Sequence, residues 1–433
     1  MKNILLILTI AFCSTALSQN GWFTQFNEPT VIIQDLYFID EITGWAVGFS
    51  GTILRTTNGG NNWVHYNLSP DFQLSSVRFA NYNLGFVSGL SYDGDFHPYL
   101  FRTTDGGFSW NISFQNFLEG GTISGISFPD ENTGFFGITY SGIGHIYKTA
   151  NSGVNWTLVN ANIGQAYGVS DIYFKDAEKG YASLYKTTNQ NSPIINTIIK
   201  TTDAGNSWFE IHRDTVPYSN SNYNRKILFF NDYLGYLQRG DLFKTTNGGI
   251  NFISTASGFI NSYFFANTET GWCTGYNGKI LKTTTGGNSW IPQNINSNSD
   301  LFPVFFVNSS TGWAGGYIRN NGGGLIVKTY TGGINPVNNT GETVTDYRLF
   351  QNYPNPFNPS TNIKFNLNYT CNVTLTVYNA LGAQVAVLID GMQQAGSYNV
   401  KFAADKYNLP SGIYFYTLIS GNFMETKKFV LYK

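Results

Sequence analysis

The sequence predicts an all-β protein: a seven-bladed β-propeller with an N-terminal strand closing the last blade, plus a small C-terminal Ig-like β-sandwich. Composition is the first observation behind this prediction. The 433 residues are 17% aromatic and only 12% charged, with 47 glycines, a mix that suits short strands and tight turns better than amphipathic helices. The second is a pair of alternating signatures, each occurring seven times. The third is a strand-like segment, Gly21-Trp22-Phe23-Thr24, with no turn signature of its own.

One signature is a basic residue, usually two threonines, a glycine-containing turn and an aromatic. It runs from Arg55 to Trp63 and from Arg102 to Trp110, then recurs from Lys148, Lys200, Lys244, Lys282 and Lys328. The mean spacing is about 45 residues, the length of a four-stranded propeller blade. The other signature precedes each of these. A strand ending in Phe38, Phe79, Phe128, Phe174, Phe229, Phe265 or Phe306 is followed by Asp or Asn, then by glycine and an aromatic, as in Gly44-Trp45. The Asn or Asp side chain accepts from amides two residues on, and glycine tolerates the left-handed backbone of such turns.

Each unit reads as four strands. In the first they are residues 34–39, a strand from Gly44, 52–57 and 62–67. The seventh copy has Pro336 where a Trp is due. Ring closure accounts for both anomalies: the Trp22 strand completes the blade begun at residues 303–330, leaving no gap between first and last blades.

The domain reading is a signal peptide at 1–18, the propeller at 19–335, a linker at 336–346 and a C-terminal domain at 347–433. Lys2, the apolar run from Ile4 to Cys13, and Ala16-Leu17-Ser18 make the charged, apolar and small-residue regions of an export signal. The run is too short to anchor a chain, and no later one is long enough to span a bilayer. The remaining cysteines, Cys273 and Cys371, sit in different predicted domains and are not expected to pair. No zinc-ligand spacing and no cofactor motif occurs. A net charge of -1 gives no electrostatic reason to expect a nucleic-acid partner.

The Lys/Arg-Thr-Thr-Asn/Asp-Gly-Gly-x-x-Trp signature resembles the Asp-box turn of sialidase-like propellers. With the Phe-x-Asp/Asn…Gly-Trp strand pair, it is similar to the Ycf48 family over roughly residues 20–335. The stretch Tyr347-Arg-Leu-Phe-Gln-Asn-Tyr-Pro-Asn-Pro-Phe-Asn-Pro-Ser-Thr361 resembles the opening of the type A sorting domain of type IX secretion cargo. Val373 to Gly382, Leu409 to Tyr416 and Lys427 to Lys433 fit the same family. This resemblance implies passage through the periplasm and across the outer membrane by the type IX secretion machinery. The product is then released or held at the cell surface. A photosystem-assembly role fits poorly with such cargo.

For the propeller, two readings differ in class. One is a non-enzymatic binding module for an extracellular protein or glycan; the other is a sialidase-like glycoside hydrolase acting on extracellular glycans. The motifs favour the first, because no arginine lies in a sialidase motif and Glu41, Glu131, Glu178 and Glu269 fall in repeated turns. Asp35 and Asp171 begin inner strands near the axis and are the least ordinary carboxylates, with strand-end capping as their expected role. Paired carboxylates or an arginine cluster about the central pocket would favour the enzyme; Asn, Ser and Tyr would favour binding. The seven basic residues of the turn signature are expected to bond to neighbouring turns, since a residue recurring in every blade serves the blade.

Variable loops on a rigid scaffold are where binding usually resides. Two long ones stand out, Ser91–Tyr99 and Ile211–Tyr218 continuing to Arg225, with a third insertion from Thr187 to Ile198. They make Tyr92, Asp95, His97, His212 and Arg213 the ligand-face candidates.

Overall fold

The computed structural model describes residues 21–333 and 347–432, except 30, 93, 95, 116–120, 141, 160–166, 187–191, 218–224, 294, 296, 320–321, 368–370, 394–395 and 421–422. The export signal, its cleavage point and the linker at 336–346 therefore lie outside the described residues. Two compact units form, divided at residues 334 and 335.

The first unit contains seven four-stranded antiparallel sheets among the described residues. Six are continuous in sequence, at residues 33–67, 72–115, 122–159, 168–216, 226–256 and 260–293. The seventh takes Ser299–Phe306, Gly312–Ile318 and Gly324–Thr329, and its outer strand is Phe23–Glu28. Phe23 pairs with Lys328 and Glu28 with Gly324, which is the closure that the orphan Trp22 segment predicts. These sheets are blades 1 to 7 below.

Adjacent blades meet through one repeated contact. The Phe that ends each inner strand stacks on the aromatic opening the second strand of the preceding blade. Trp45 meets Phe79 at 3.5 Å, Phe135 meets Phe174 at 3.6 Å, and Trp272 meets Phe306 at 3.4 Å between ring centroids. Trp313 on Phe38, also 3.5 Å apart, joins blade 7 to blade 1. Glycine makes this possible: a Cβ on Gly44 would lie 2.3 Å from the Phe38 ring of its own blade. In blades 1, 2, 3, 4 and 6 the Trp after the turn then meets the same Phe edge-on, as Trp63 does on Phe38 at 5.8 Å and Trp110 on Phe79 at 6.0 Å. Trp22 fills that place in blade 7, 5.8 Å from Phe306 and buried.

The turns are tied by short-range hydrogen bonds. In all seven signatures the threonine hydroxyl accepts from the amide of the glycine four residues on, as Thr56 Oγ1 does from Gly60 at 2.8 Å and Thr329 Oγ1 from Gly333 at 2.8 Å. The Asn or Asp of the other signature accepts from amides two and three residues on, as Asp40 Oδ1 does from Ile42 at 2.8 Å. The basic residues reach across to the next blade. Arg55 donates to Gly106 O at 3.0 Å, Lys148 to Ala204 O at 2.8 Å, and Lys328 to Gly59 O at 2.7 Å, again from blade 7 to blade 1. They are clasps between blades.

The second unit is a two-sheet sandwich. Arg348–Leu349, Ser360–Leu367 and Gly396–Ala403 form one sheet; Gln384–Gln393, Cys371–Asn379, Gly412–Ser420 and Phe423–Leu431 form the other. Ile363, Phe365, Val373, Leu375, Phe402, Tyr416 and Phe429 are buried between them. The proline-asparagine opening is stitched to the sandwich through polar atoms. The buried Asn352 donates to Thr361 Oγ1 at 2.9 Å, and its amide donates to Tyr416 Oη at 2.8 Å. Asn355 Oδ1 accepts from the Val430 amide at 2.9 Å, so the opening segment holds the last strand.

Two outcomes test this account. Deleting residues 20–28, or replacing Trp22 by Ala, removes one blade-7 contact; loss of a buried Trp costs about 3–5 kcal/mol. The melting temperature should fall by roughly 5–10 °C, and an unchanged value would refute the closure. The second concerns Asp203, whose carboxyl is pulled down to about 2 by the Ser207 hydroxyl and amide and the Thr201 hydroxyl. Its folded value lies below the unfolded one, so its stabilisation is present above pH ~4 and lost as pH falls through about 2. Asn stands at the equivalent position of other blades, at Asn58 and Asn151. Chemical denaturation between pH 2 and 5 should give D203N a shallower loss of stability than the parent chain.

Candidate functional site

The inner strands do not alternate simply. In six of the seven a β-bulge interrupts pairing with the second strand, between Ile33 and Asp35, Leu74 and Ser76, Ser124 and Ile126, Val169 and Asp171, Ile260 and Ser262, and Leu301 and Val304. The extra residue keeps both flanking apolar side chains in the core, since Ile33 and Leu36 are both buried. It also re-aims the residues between them. Asp35, Ser76, Gly125, Asp171, Ser262 and Pro303 consequently line a common cavity of about 500 Å³ on the propeller axis, together with Lys226 from the regular inner strand of blade 5. All seven inner strands contribute to it. Arg78, Ser127, Tyr173, Phe264 and Phe305, two residues further along, line it too.

Its walls are unlike one another. Phe264 and Phe305, from blades 6 and 7, have ring centroids 5.0 Å apart and, with Phe302, make an apolar side. The charged groups come from blades 1, 2, 4 and 5. Asp35 Oδ2 accepts from Arg78 Nη1 at 2.6 Å, from Ser76 Oγ at 3.0 Å and from the Val77 amide at 3.0 Å. Asp171 Oδ2 accepts from the Ile227 amide at 2.8 Å. Both aspartates therefore bridge to an inner strand of the following blade while facing the cavity, and Asp35 does so within the strand Phe72–Phe79 and not at its end. Gly125 makes room for the second, since a Cβ there would stand 2.4 Å from Asp171 Oδ1. Lys226 Nζ donates to Tyr263 O at 2.8 Å and to Ser262 Oγ at 3.4 Å.

Burial sets the protonation of these groups. It raises the Asp171 carboxyl to about 6, against the pull of the Ile227 amide and the Lys226 and Arg78 charges. It lowers the Lys226 ammonium to about 8, assisted by repulsion from Arg78. Burial also pushes the Tyr173 hydroxyl up to about 12. For Arg78 burial works against the charge, but Asp35 outweighs it and the guanidinium is raised.

The loop candidates lie elsewhere. Tyr92 is exposed beside Phe96, whose ring is 5.1 Å away, and Asp95 falls outside the described residues. The His97 amide donates to Ser91 Oγ at 3.0 Å, which closes the same hairpin. His212 and Arg213 are not on a loop at all. Phe209–Val216 is the outer strand of blade 4, paired with Ile194–Thr201. The stretches read as insertions at Ile211 and at Ile194 to Ile198 thus prolong a hairpin. Pairing there satisfies the backbone polar groups that a loop would expose to water. On that strand His212 turns inward against Phe252 and Arg213 turns outward to Glu210, so the two do not converge. None of Tyr92, His97, His212 and Arg213 lines the axial cavity. Arg239 and Arg319 are engaged by Asp214 and Asp300.

Residues 15–190 match the family described as Photosynthesis system II assembly factor YCF48, and residues 351–432 match the Secretion system C-terminal sorting domain. The photosystem II assembly protein Ycf48 of Thermosynechococcus vestitus is 35% identical over 74 residues, 16% of this chain. That match spans only 21% of the curated relative. Among solved structures, YCF48 bound to D1 peptide aligns with 73% of this chain and 99% of its own at 21% identity, TM-score 0.52. YCF48 from Cyanidioschyzon merolae aligns with 71% of this chain and 98% of its own at 19% identity, TM-score 0.51. The chain thus joins a Ycf48-like propeller to a sorting domain of the type IX secretion kind, which marks it as secreted or attached at the outer-membrane surface. No helix among the described residues is long and apolar enough to cross a membrane.

Proposed function

We propose that this exported propeller is a non-enzymatic binding protein that takes an extracellular ligand in its axial cavity. On this reading residues 1–18 are a signal peptide, 19–335 the propeller, 336–346 a linker, and 347–433 the segment that engages the secretion machinery. The observation that carries it is the employment of the two axial carboxylates. A glycosidase needs one carboxyl as acid and another as nucleophile or base, both aimed at the scissile bond. Here Asp35 Oδ2 is spent on three donors and Asp171 Oδ2 on an amide of the next blade. A YCF48 bound to D1 peptide is a precedent for a ligand on a propeller of this fold. The serines lining the cavity, Ser75, Ser76, Ser127, Ser170 and Ser262, suit binding as well.

A hydrolase reading has two observations in its favour: Asp35 and Asp171 line one cavity together with Arg78 and Arg225, and the Asp171 carboxyl is held at about 6, within the range of a general acid. Incubating the mature chain with extracellular polysaccharides and peptides separates the two. Ligand retention without new reducing ends is expected. Release of reducing ends that D171N abolishes would overturn the binding reading. Deletion of 347–433 should leave the protein in the periplasm by fractionation, and normal export of the truncated chain would refute the assigned role of that segment.

A further inference from the structure

The hydrogen-bonding inventory of the axial cavity is lopsided. Arg78 spends Nη1 on Asp35 and on Val77 O, while Nε and Nη2 make no hydrogen bond among the described residues. The Tyr173 hydroxyl makes none either, and Lys226 uses two of three protons. These three side chains come from blades 2, 4 and 5 and line one cavity. Convergent donors call for an oxyanion, and charge-assisted bonds are the strong ones. One acceptor is left over as well. Gln238, only 2% exposed and lining the cavity, donates Nε2 to Ile260 O at 2.6 Å, but its Oε1 is buried without a partner. A buried acceptor in that state costs free energy until a donor arrives, and a ligand hydroxyl supplies one. Phe264 and Phe305 line the same cavity with half-buried faces suited to the C–H side of a flat ring.

We propose that the axial cavity is built for a hydroxylated ring bearing a carboxylate, a sugar acid of the hexuronic type. The inference deepens the binding reading above and rests on it. The carboxylate lies among Arg78, Lys226 and Tyr173, a hydroxyl donates to Gln238 Oε1, and the ring rests on the aromatic wall. A volume of about 500 Å³ falls in the range of small-molecule sites. A cationic ligand is disfavoured, because Asp35 and Asp171 already accept from blade-to-blade donors.

The pH dependence follows from every charged or titratable group lining the cavity: Asp35, Arg78, Asp171, Lys226, Tyr173, Tyr263 and, at the start of the blade 5 inner strand, Arg225. The tyrosines stay neutral, since burial raises both. Two groups titrate between pH 5 and 9. Asp171 is protonated below about 6, which removes a charge that repels the ligand. Lys226 loses its proton above about 8, which removes one that attracts it. Affinity for a carboxylate therefore weakens in two steps as pH rises.

The test titrates glucuronate, glucose and benzoate into the full mature chain, followed by calorimetry or ligand-observed NMR. Glucuronate is expected to bind at least tenfold more tightly than either of the others, and more tightly at pH 5 than at pH 7.5. K226M should weaken it by roughly ten- to hundredfold, the worth of one charged hydrogen bond. R78M should do the same, but Arg78 also holds Asp35; Y173F, which breaks no hydrogen bond among the described residues, keeps the test open if R78M misfolds. Glucose binding as well as glucuronate, or full affinity in both K226M and Y173F, would overturn the inference. If a different ligand binds and K226M weakens it, the uronate inference falls while the binding reading stands.

Discussion

The propeller depends on one contact made seven times, a phenylalanine pressed flat between a glycine of its own blade and an aromatic ring of the blade before. Stacked pairs contribute about 0.5–1.5 kcal/mol beyond the area they bury, and burial of each ring adds more. The contact also explains why glycine precedes the aromatic. A side chain at Gly44 or Gly312 would occupy the space of the Phe38 or Phe306 ring, with only 2.3 Å to spare. Sequence, turn and blade interface are thus coupled at one position.

A ring of such contacts is stable only if it closes, because an open last blade would expose its stack and a strand edge. Closure here is redundant. Trp313 stacks on Phe38, Lys328 clasps Gly59 O, and Phe23–Glu28 completes the blade-7 sheet. The Lys328 ammonium shows the cost of this arrangement, since burial lowers it to about 8. It lies over the Trp313 and Tyr330 rings, at 4.8 and 4.2 Å, where cation–π attraction offsets part of the lost hydration.

Much of this fold is legible from residue order because the determinants are local. The threonine, Asn/Asp and glycine of each turn act within four residues of one another, so spacing alone reveals them. Trp22 is legible for the opposite reason, a strand without its turn. The site was harder to see. Asp35 and Asp171 stood out as axial carboxylates, yet strict alternation would bury residue 35 beside Ile33 and expose Leu36. The signal that was available is the spacing of core residues, three and then two, at Ile33-Leu36-Phe38, Leu74-Val77-Phe79 and Val169-Ile172-Phe174. That pattern is a bulge, and it points Asp35, Ser76 and Asp171 inward. His212 and Arg213 resemble loop residues because their segment is polar. The outer strand of a blade is solvated on its free edge and alternates exposed with half-buried residues, so it is polar without being irregular.

The repeat itself indicates where specificity resides. Positions that hold the blades together carry nearly the same residue in each copy, so they can distinguish nothing about a ligand. On the same inner strands, the axial positions carry Asp35, Ser76, Gly125, Asp171, Lys226, Ser262 and Pro303 in turn. Seven blades of one design thus present five residue types to a single cavity, fixed by backbone that the stacked rings hold rigid. The charges also sit where water is scarce. Burial there strips the charged forms of hydration, which is why Asp171 and Lys226 move toward neutrality, while hydrogen bonds from Ser207 and Thr201 hold the exposed Asp203 in its ionised form. A scaffold this regular leaves its chemistry to the residues that break the pattern, and on the axis those residues converge.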